Sequence, residues 1–123
     1  MIRLSIALVT RNRPEALARC SGSVRAQSVQ PFEVVVSDDS DNALAAATQR
    51  IAGQYGGRYH PGPRRGLDAN RNHAARACQG THVRTMDDDH TLPEGHLAQC
   101  LAALRTAPHS LWTTGETSFI AGR

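Results

Sequence analysis

Thr81–Leu92 reads THVRTMDDDHTL. A short extended run, Thr81 to Met86, empties into three consecutive carboxylates, Asp87, Asp88 and Asp89. Adjacent anions repel one another, and some would take up protons if buried without a counter-charge. A hard divalent cation removes that conflict, because Mg²⁺ and Mn²⁺ take oxygen ligands and complete their shell from one or two carboxylates and the phosphates of a substrate. The stretch therefore reads as a strand that delivers a metal and phosphate site at its carboxyl end. The competing reading is a solvated acidic turn that caps the next helix.

Working outward, the same pattern recurs. Phe32 to Ser37, FEVVVS, is a strand-like run that ends in Asp38-Asp39-Ser40-Asp41-Asn42. Leu4 to Thr10, LSIALVT, is an apolar run of the kind buried in parallel sheets, and Arg11-Asn12-Arg13-Pro14 then opens a helix with proline at its first position. Leu17, Cys20 and Val24 share one face of that helix. A second helix is predicted from Ala43 to about Tyr55, with Leu44, Ala47, Ile51 and Tyr55 as its stripe. Arg58-Tyr59-His60 is a short strand, Pro61 to Gly66 a loop, and Leu67 to about Cys78 a third helix exposing Asp68, Arg71, Asn72 and Arg76. Thr91-Leu92-Pro93-Glu94 has capping-box spacing and predicts a fourth helix from there to about Ala107, with Leu97, Leu101 and Leu104 inward. Leu111 to Thr114 and Thr117 to Ile120 read as one or two further strands.

Alternation of strand and helix predicts an α/β fold with a mostly parallel sheet and helices on both faces. In such sheets ligands sit outside the carboxyl ends of strands, where the strand order reverses. Thr10–Arg13, Asp38–Asp41 and Asp87–Asp89 all follow strands, so parallel strands would bring them to one edge.

At 123 residues the chain makes a single domain, 1–123. It has no apolar run long enough to span a bilayer and no secretory signal, so a cytoplasmic location is expected. Its net charge is +3, and all 14 basic residues are arginine. They are dispersed, and aromatic residues make up only 4%, which argues against a nucleic-acid surface. By contrast, six of the 11 acids are Asp38, Asp39, Asp41, Asp87, Asp88 and Asp89. Cys20, Cys78 and Cys100 have neither zinc nor disulfide spacing and read as buried thiols. His90 and His96 flank the triplet region and read as a loop residue and a helix-surface residue; His60, His73, His82 and His109 have no ligand spacing.

Taken together, LSIALVTRNRP, SVRAQSVQPFEVVVSDDSD, RGLDANRNHAARACQGTHV and MDDDHTLPEGHL resemble the family 2 glycosyltransferases. The resemblance implies a Rossmann-like GT-A fold that binds a nucleotide-diphosphosugar, with the chain ending after the Asp-x-Asp half. It implies that Thr10, Arg11 and Arg13 line the base pocket and that Asp38 or Asp39, with Asp39 favoured, contacts uracil. A carboxylate accepts a base N–H, and a pocket built on that bond rejects bases lacking it. Arg71 would face the diphosphate or ribose. Asp87 and Asp89 match the outer positions of Asp-x-Asp and are the metal-ligand candidates for Mn²⁺ or Mg²⁺: the first also reaches ribose and the last holds the metal through the diphosphate, with Asp88 sharing either task.

The sequence departs from the family at Arg84 and His82, polar residues in a buried strand that need partners, and at Asn70, where a small residue is common. Family members continue into an acceptor-binding half that supplies the base of the inverting reaction. Neither Glu94 nor Glu116 matches that base, so no catalytic residue is assigned. The expectation is a donor-binding domain for a UDP-sugar that by itself transfers poorly to a sugar, lipid or protein acceptor. The alternatives are a non-catalytic nucleotide- or partner-binding module, with self-association through an open sheet edge, and a metal-dependent nucleotidyl- or phosphotransferase. The last lacks a glycine-rich phosphate loop.

Overall fold

The structure is a computed structural model describing residues 1–107 and, for backbone only, 112–114 and 117–121. All seven residues of β1 (Leu4–Thr10) are buried, as a strand covered on both faces must be. It is followed by α1 (Pro14–Arg25), β2 (Glu33–Asp38), α2 (Asn42–Gln54), β3 (Arg58–Pro61), α3 (Leu67–Ala77), β4 (His82–Asp87), α4 (His96–Thr106), β5 (Trp112–Thr114) and β6 (Thr117–Ala121). The sheet order is β3-β2-β1-β4-β6-β5. The first four strands are parallel, and β6 and β5 run antiparallel beyond β4. The predicted α/β architecture is therefore the observed one. Leu111, Pro108, His109 and Glu116 lie outside the described residues.

Strand order explains the placement of the helices. From β1 to β3 the chain steps one way across the sheet, then it jumps back past β1 to β4. Crossovers of one hand that reverse direction must lay their helix on the opposite face. Accordingly Leu17, Cys20 and Val24 of α1, Ala52 of α2, and Leu97, Cys100 and Leu104 of α4 pack with Ile6, Leu8, Val34, Val36 and Met86. Ala74 and the adjoining Cys78, from α3, pack with Ala7, Val9, Val35 and Val83 on the other face. The period of two along each strand sorts the two sets. All three cysteines are buried free thiols. Burial, reinforced by nearby Asp88, pushes Cys20 up to about 12, which makes it unreactive.

Three local expectations are corrected. The fourth helix begins at His96, after Gly95 in a left-handed conformation (φ 78°), and the Thr91–Glu94 capping box does not form. A tertiary cap replaces it: Gln27 in the turn just past α1 accepts the Leu97 N–H at 3.0 Å and donates to Pro93 O at 2.8 Å. On α2 the fully buried positions are Thr48 and Ala52, while Leu44, Ala47, Ile51 and Tyr55 are half-buried. His96 is not a surface residue. It is half-buried, and its Nε2 lies 3.1 Å from Arg84 Nη2. Because a guanidinium has no acceptor, His96 accepts through Nε2, and burial and the Arg84 charge push its pKa down. Arg84 itself is 2% exposed, with His96 and the Cys100 thiol as partners.

Glu33 ties the lower end of the sheet together. Its Oε2 accepts the Ser5 hydroxyl at 2.7 Å and the Gln79 N–H, and its Oε1 accepts Arg58 Nη2 at 2.7 Å. Ser5 Oγ in turn accepts the Gly80 N–H at 2.9 Å. Burial opposes the charge, but these donors outweigh it and hold the carboxyl below its usual value of 4.5. A depressed folded-state pKa gives stability that is present above the unfolded value and lost as pH falls through the folded one. Glu33→Gln is expected to cost about 1–2 kcal/mol at neutral pH and to flatten the acid limb of the stability curve below 4.5, read by urea denaturation across pH. An acid limb as steep in the variant as in the parent would refute this.

Candidate functional site

The strand order reverses between β1 and β4, and a cleft of about 280 Å³ opens outside their carboxyl ends. It is lined by Val9 and Thr10 at the end of β1 and Arg11 and Arg13 beyond it, Asp39 after β2, Gly66, Leu67 and Asn70 at the start of α3, and Asp87 at the end of β4 with Asp88 and Asp89 after it. The parallel register pairs Val9 with Asp87 and Thr10 with Asp38, so three separate loops converge because their strands do. Of the residues singled out in the sequence, Thr10, Arg11, Arg13, Asp39, Asp87, Asp88 and Asp89 share the cleft. Arg71 stands beside it, against Asp87. Asp38 stands away from it: its Oδ1 accepts the Ser40 N–H at 2.8 Å and its Oδ2 the Tyr59 hydroxyl at 2.6 Å.

The Asp triplet is not three equivalent ligands. His90 N–H donates to Asp87 O at 3.2 Å, closing a turn on the triplet, and each carboxylate has different partners. Arg71 grips Asp87 through two bonds, Nη2 to Oδ2 at 2.7 Å and Nε to Oδ1 at 3.3 Å. That pairing holds the Arg71 guanidinium above its ordinary pKa. Asp88 is buried, its side chain only 7% exposed. It accepts the Thr10 hydroxyl at 2.7 Å and lies 3.6 Å from Arg13 Nη1. Burial raises its pKa, with Thr10 and Arg13 pulling the other way and Asp89 and Asp87 adding to the rise. Asp89 is 54% exposed, and its neighbour is His90 Nε2 at 3.6 Å.

Among the described residues no three His, Cys, Asp or Glu side chains gather into a ready cation site. Asp89 nevertheless fits a cation of the kind that keeps most of its shell for phosphate and water. Asp87 is charge-balanced by Arg71 but keeps a second lone pair on each oxygen, whereas Asp89 is the exposed member of the triplet with no arginine partner among the described residues.

Asp39 is a buried carboxylate of a different kind. It is 7% exposed, and its Oδ1 accepts the Arg64 main-chain N–H at 2.9 Å. Behind the cleft, Asn70 is almost fully buried. Its Oδ1 accepts the Ser37 hydroxyl at 2.6 Å and its Nδ2 donates to Ser37 O at 3.2 Å. Ser37 Oγ also lies 2.9 Å from His73 Nδ1. With the hydroxyl proton spent on Asn70, His73 must donate through Nδ1. The roles of Gly66, Leu67 and Asn70 as lining residues went unread in the sequence. Their one signal was the Pro-Gly-Pro loop, which had to lead somewhere fixed. Asn12, read as part of the helix-cap region, adopts φ 55° and ties two of the loops together: its N–H donates to Ser40 Oγ at 2.8 Å, and its side chain exchanges bonds with Asp41.

A doubly faced, mostly parallel sheet with an acid-lined cleft at its switch point is the architecture of the GT-A glycosyltransferases. Residues 5–115 match Glycosyl transferase family 2, and the chain belongs to that family. No curated protein matches it. Among solved structures it is similar to the mannosyltransferase PcManGT from Pyrobaculum calidifontis, in complex with GDP-Man and Mn²⁺, with TM-score 0.81 and 19% identity over 98% of this chain and 44% of that one. It is also similar to S. aureus TarS 1-349, with TM-score 0.71 and 22% identity over 85% of this chain and 33% of that one. A second TarS structure gives 0.67 and 21% over 85% and 20%. The chain thus spans less than half the length of these neighbours. Among the described residues no helix is long and apolar enough to cross a membrane.

Removing Arg71 should expose the repulsion within the triplet. Arg71→Met is expected to lower the thermal midpoint by a few degrees and to make it respond more strongly to added Mn²⁺ than the parent does. Differential scanning fluorimetry with and without the cation reads both effects. An equal cation response in the two proteins would show that Asp87 is not held in charge balance by Arg71.

Proposed function

We propose that this chain is the donor-binding part of an inverting glycosyltransferase and binds a nucleotide-diphosphosugar, with uridine as the base. The observation that carries the reading is that Thr10, Arg11, Arg13, Asp39, Asp87, Asp88 and Asp89 line one cleft at the reversal of strand order. Asp39 recognises the base. Its Oδ1 is already engaged by Arg64, so Oδ2 is left to accept a ligand N–H. One acceptor oxygen suits the single ring N–H of uracil better than the adjacent pair of donors on guanine. Arg11 and Arg13 face the anionic ligand from the β1 loop, and Arg13 does so while neutralising Asp88.

Asp87, steadied by Arg71, is placed to meet the ribose, and Asp89 would hold Mn²⁺ or Mg²⁺ together with the diphosphate oxygens. When bound, such a cation supplies Lewis-acid stabilisation of the leaving nucleotide diphosphate. Mn²⁺ in the Pyrobaculum calidifontis neighbour supports the metal; its GDP-Man makes guanosine the competing base. The chain alone is expected to bind donor while transferring sugar poorly.

Titration calorimetry of the chain with UDP and GDP, each with and without Mn²⁺, tests the proposal. UDP is expected to bind in the presence of Mn²⁺ and more tightly than GDP. Asp89→Ala should lose most of the metal-dependent part, about tenfold or more in Kd, as expected when a ligand to a cation is removed. Absence of binding by a chain whose circular dichroism shows it folded would overturn the proposal.

A further inference from the structure

The loop from Pro61 to Gly66 packs directly on Asp39, a buried cleft carboxylate with no cation paired to it among the described residues. Among the described residues, Asp39 makes no ion pair, although it is buried. Its fixed contacts come from main chain. The Arg64 N–H caps Oδ1 at 2.9 Å. Gly62 lies so close that a Cβ added there would collide with Asp39 Oδ1 and sit 2.7 Å from Asn70 Oδ1. Gly62 is itself pinned, since its N–H donates to Asp38 O at 2.6 Å. Arg64 holds φ 57°, a conformation costly for a residue other than glycine. Its side chain secures that geometry: Nη2 donates to Ser40 O at 2.8 Å and to Asn42 Oδ1 at 3.1 Å. The loop therefore grips the strand end on both sides of Asp39.

We infer that Gly62 and Arg64 are positioning residues that fix the Asp39 carboxylate and so determine which base the cleft selects. A carboxylate free to rotate would present either oxygen, or swing to meet water, and would discriminate weakly. Held by Gly62 and the Arg64 N–H, Asp39 presents one acceptor at a fixed place. Uracil offers an N–H to such an acceptor through its ring nitrogen. Cytosine has a lone pair at the same ring position, which faces the carboxylate as like charge faces like. This inference rests on the donor-binding reading above and adds the device that sets its specificity.

The test is the ratio of affinities for UDP and CDP, measured by calorimetry in Mn²⁺ on the full chain. The parent is expected to prefer UDP by about tenfold or more, because a buried acceptor left without its donor costs at least that much. Gly62→Ala is expected to bring the ratio close to unity. Arg64→Ala, an exposed change that keeps the N–H but removes its two side-chain anchors, should lower the ratio part of the way and guards against a Gly62 variant that does not fold. Gly56→Ala, also at a positive φ (72°) but in contact with Arg25, serves as a control that loses stability without changing the ratio. A merely structural loop would lower the thermal midpoint in all three and leave the UDP to CDP ratio alone. The inference is overturned if the folded Gly62 or Arg64 variants keep the parent ratio. A parent that binds both nucleotides equally would instead sink the role of Asp39, and with it the positioning device, while leaving the metal-dependent donor site standing.

Discussion

The pairing of β1 with β4 is the constraint on which the rest of the molecule depends. These two strands are distant in sequence and adjacent in the sheet, and their junction is where the strand order turns back. The reversal forces α3 onto the opposite face from α1, α2 and α4, and no helix then covers the gap above β1 and β4. A groove at this point is a geometric consequence of topology. The register does the remaining work: pairing Val9 with Asp87 brings the Thr10 hydroxyl to 2.7 Å from Asp88. A slip of one residue would turn every core side chain of β4 to the wrong face and separate Thr10 from its carboxylate.

Burying acids at the same edge requires that each be compensated differently. Asp38 and Asp39 are adjacent, yet one is fastened to Tyr59 and the Ser40 N–H while the other is held by the Arg64 N–H and lines the cleft. The triplet repeats the principle: Asp87 has Arg71, Asp88 has Thr10 and Arg13, and Asp89 keeps to solvent. Compensation of the first two by Arg71 and Arg13 lowers the repulsion that three anions in sequence would otherwise impose. It also confines the attraction for a cation to one exposed position.

Much of this was legible from local signals. The apolar runs at Leu4–Thr10 and Phe32–Ser37 marked buried parallel strands because covering both faces demands unbroken hydrophobicity, while Thr81–Met86, with His82 and Arg84 in it, was legible as a strand only by its extended run into the Asp triplet. The shared edge for their trailing acids followed from parallelism alone. What escaped was decided by tertiary contacts. The capping box at Thr91–Glu94 lost to Gln27, which reaches from the turn just past α1 to cap α4; no local pattern encodes a cap from a distant part of the chain. Arg84 was legible as a problem but not as a solution, since His96 and Cys100 come from an element whose start was misplaced. The choice between Asp38 and Asp39 was likewise beyond spacing, because it depends on Tyr59 and Arg64 in a strand and loop more than twenty residues away.

The two walls of the cleft differ in how they are held, and the difference has consequences for recognition. The walls formed by Thr10, Asp87 and Asp88 are strand ends, fixed by the sheet ladder and the core beneath. The wall formed by Gly66, Leu67 and Asn70 follows a loop with positive φ at Arg64 and Gly66. Such backbone costs on the order of 1 kcal/mol or more at a non-glycine residue and persists only where its surroundings over-determine it. Here the determinants are Asp39, Ser40 and Asn42, which accept from Arg64, and Asn70, which is anchored to Ser37. Asp39 and Ser40 follow β2 directly and Asn42 opens α2, so the strained wall is tied to the strand-end side of the cleft. The loop could relax only by releasing Asp39, a buried carboxylate with no cation to replace the lost N–H. The cost of leaving that buried group without its N–H partner keeps the strained loop in place, and the loop in turn holds the carboxylate.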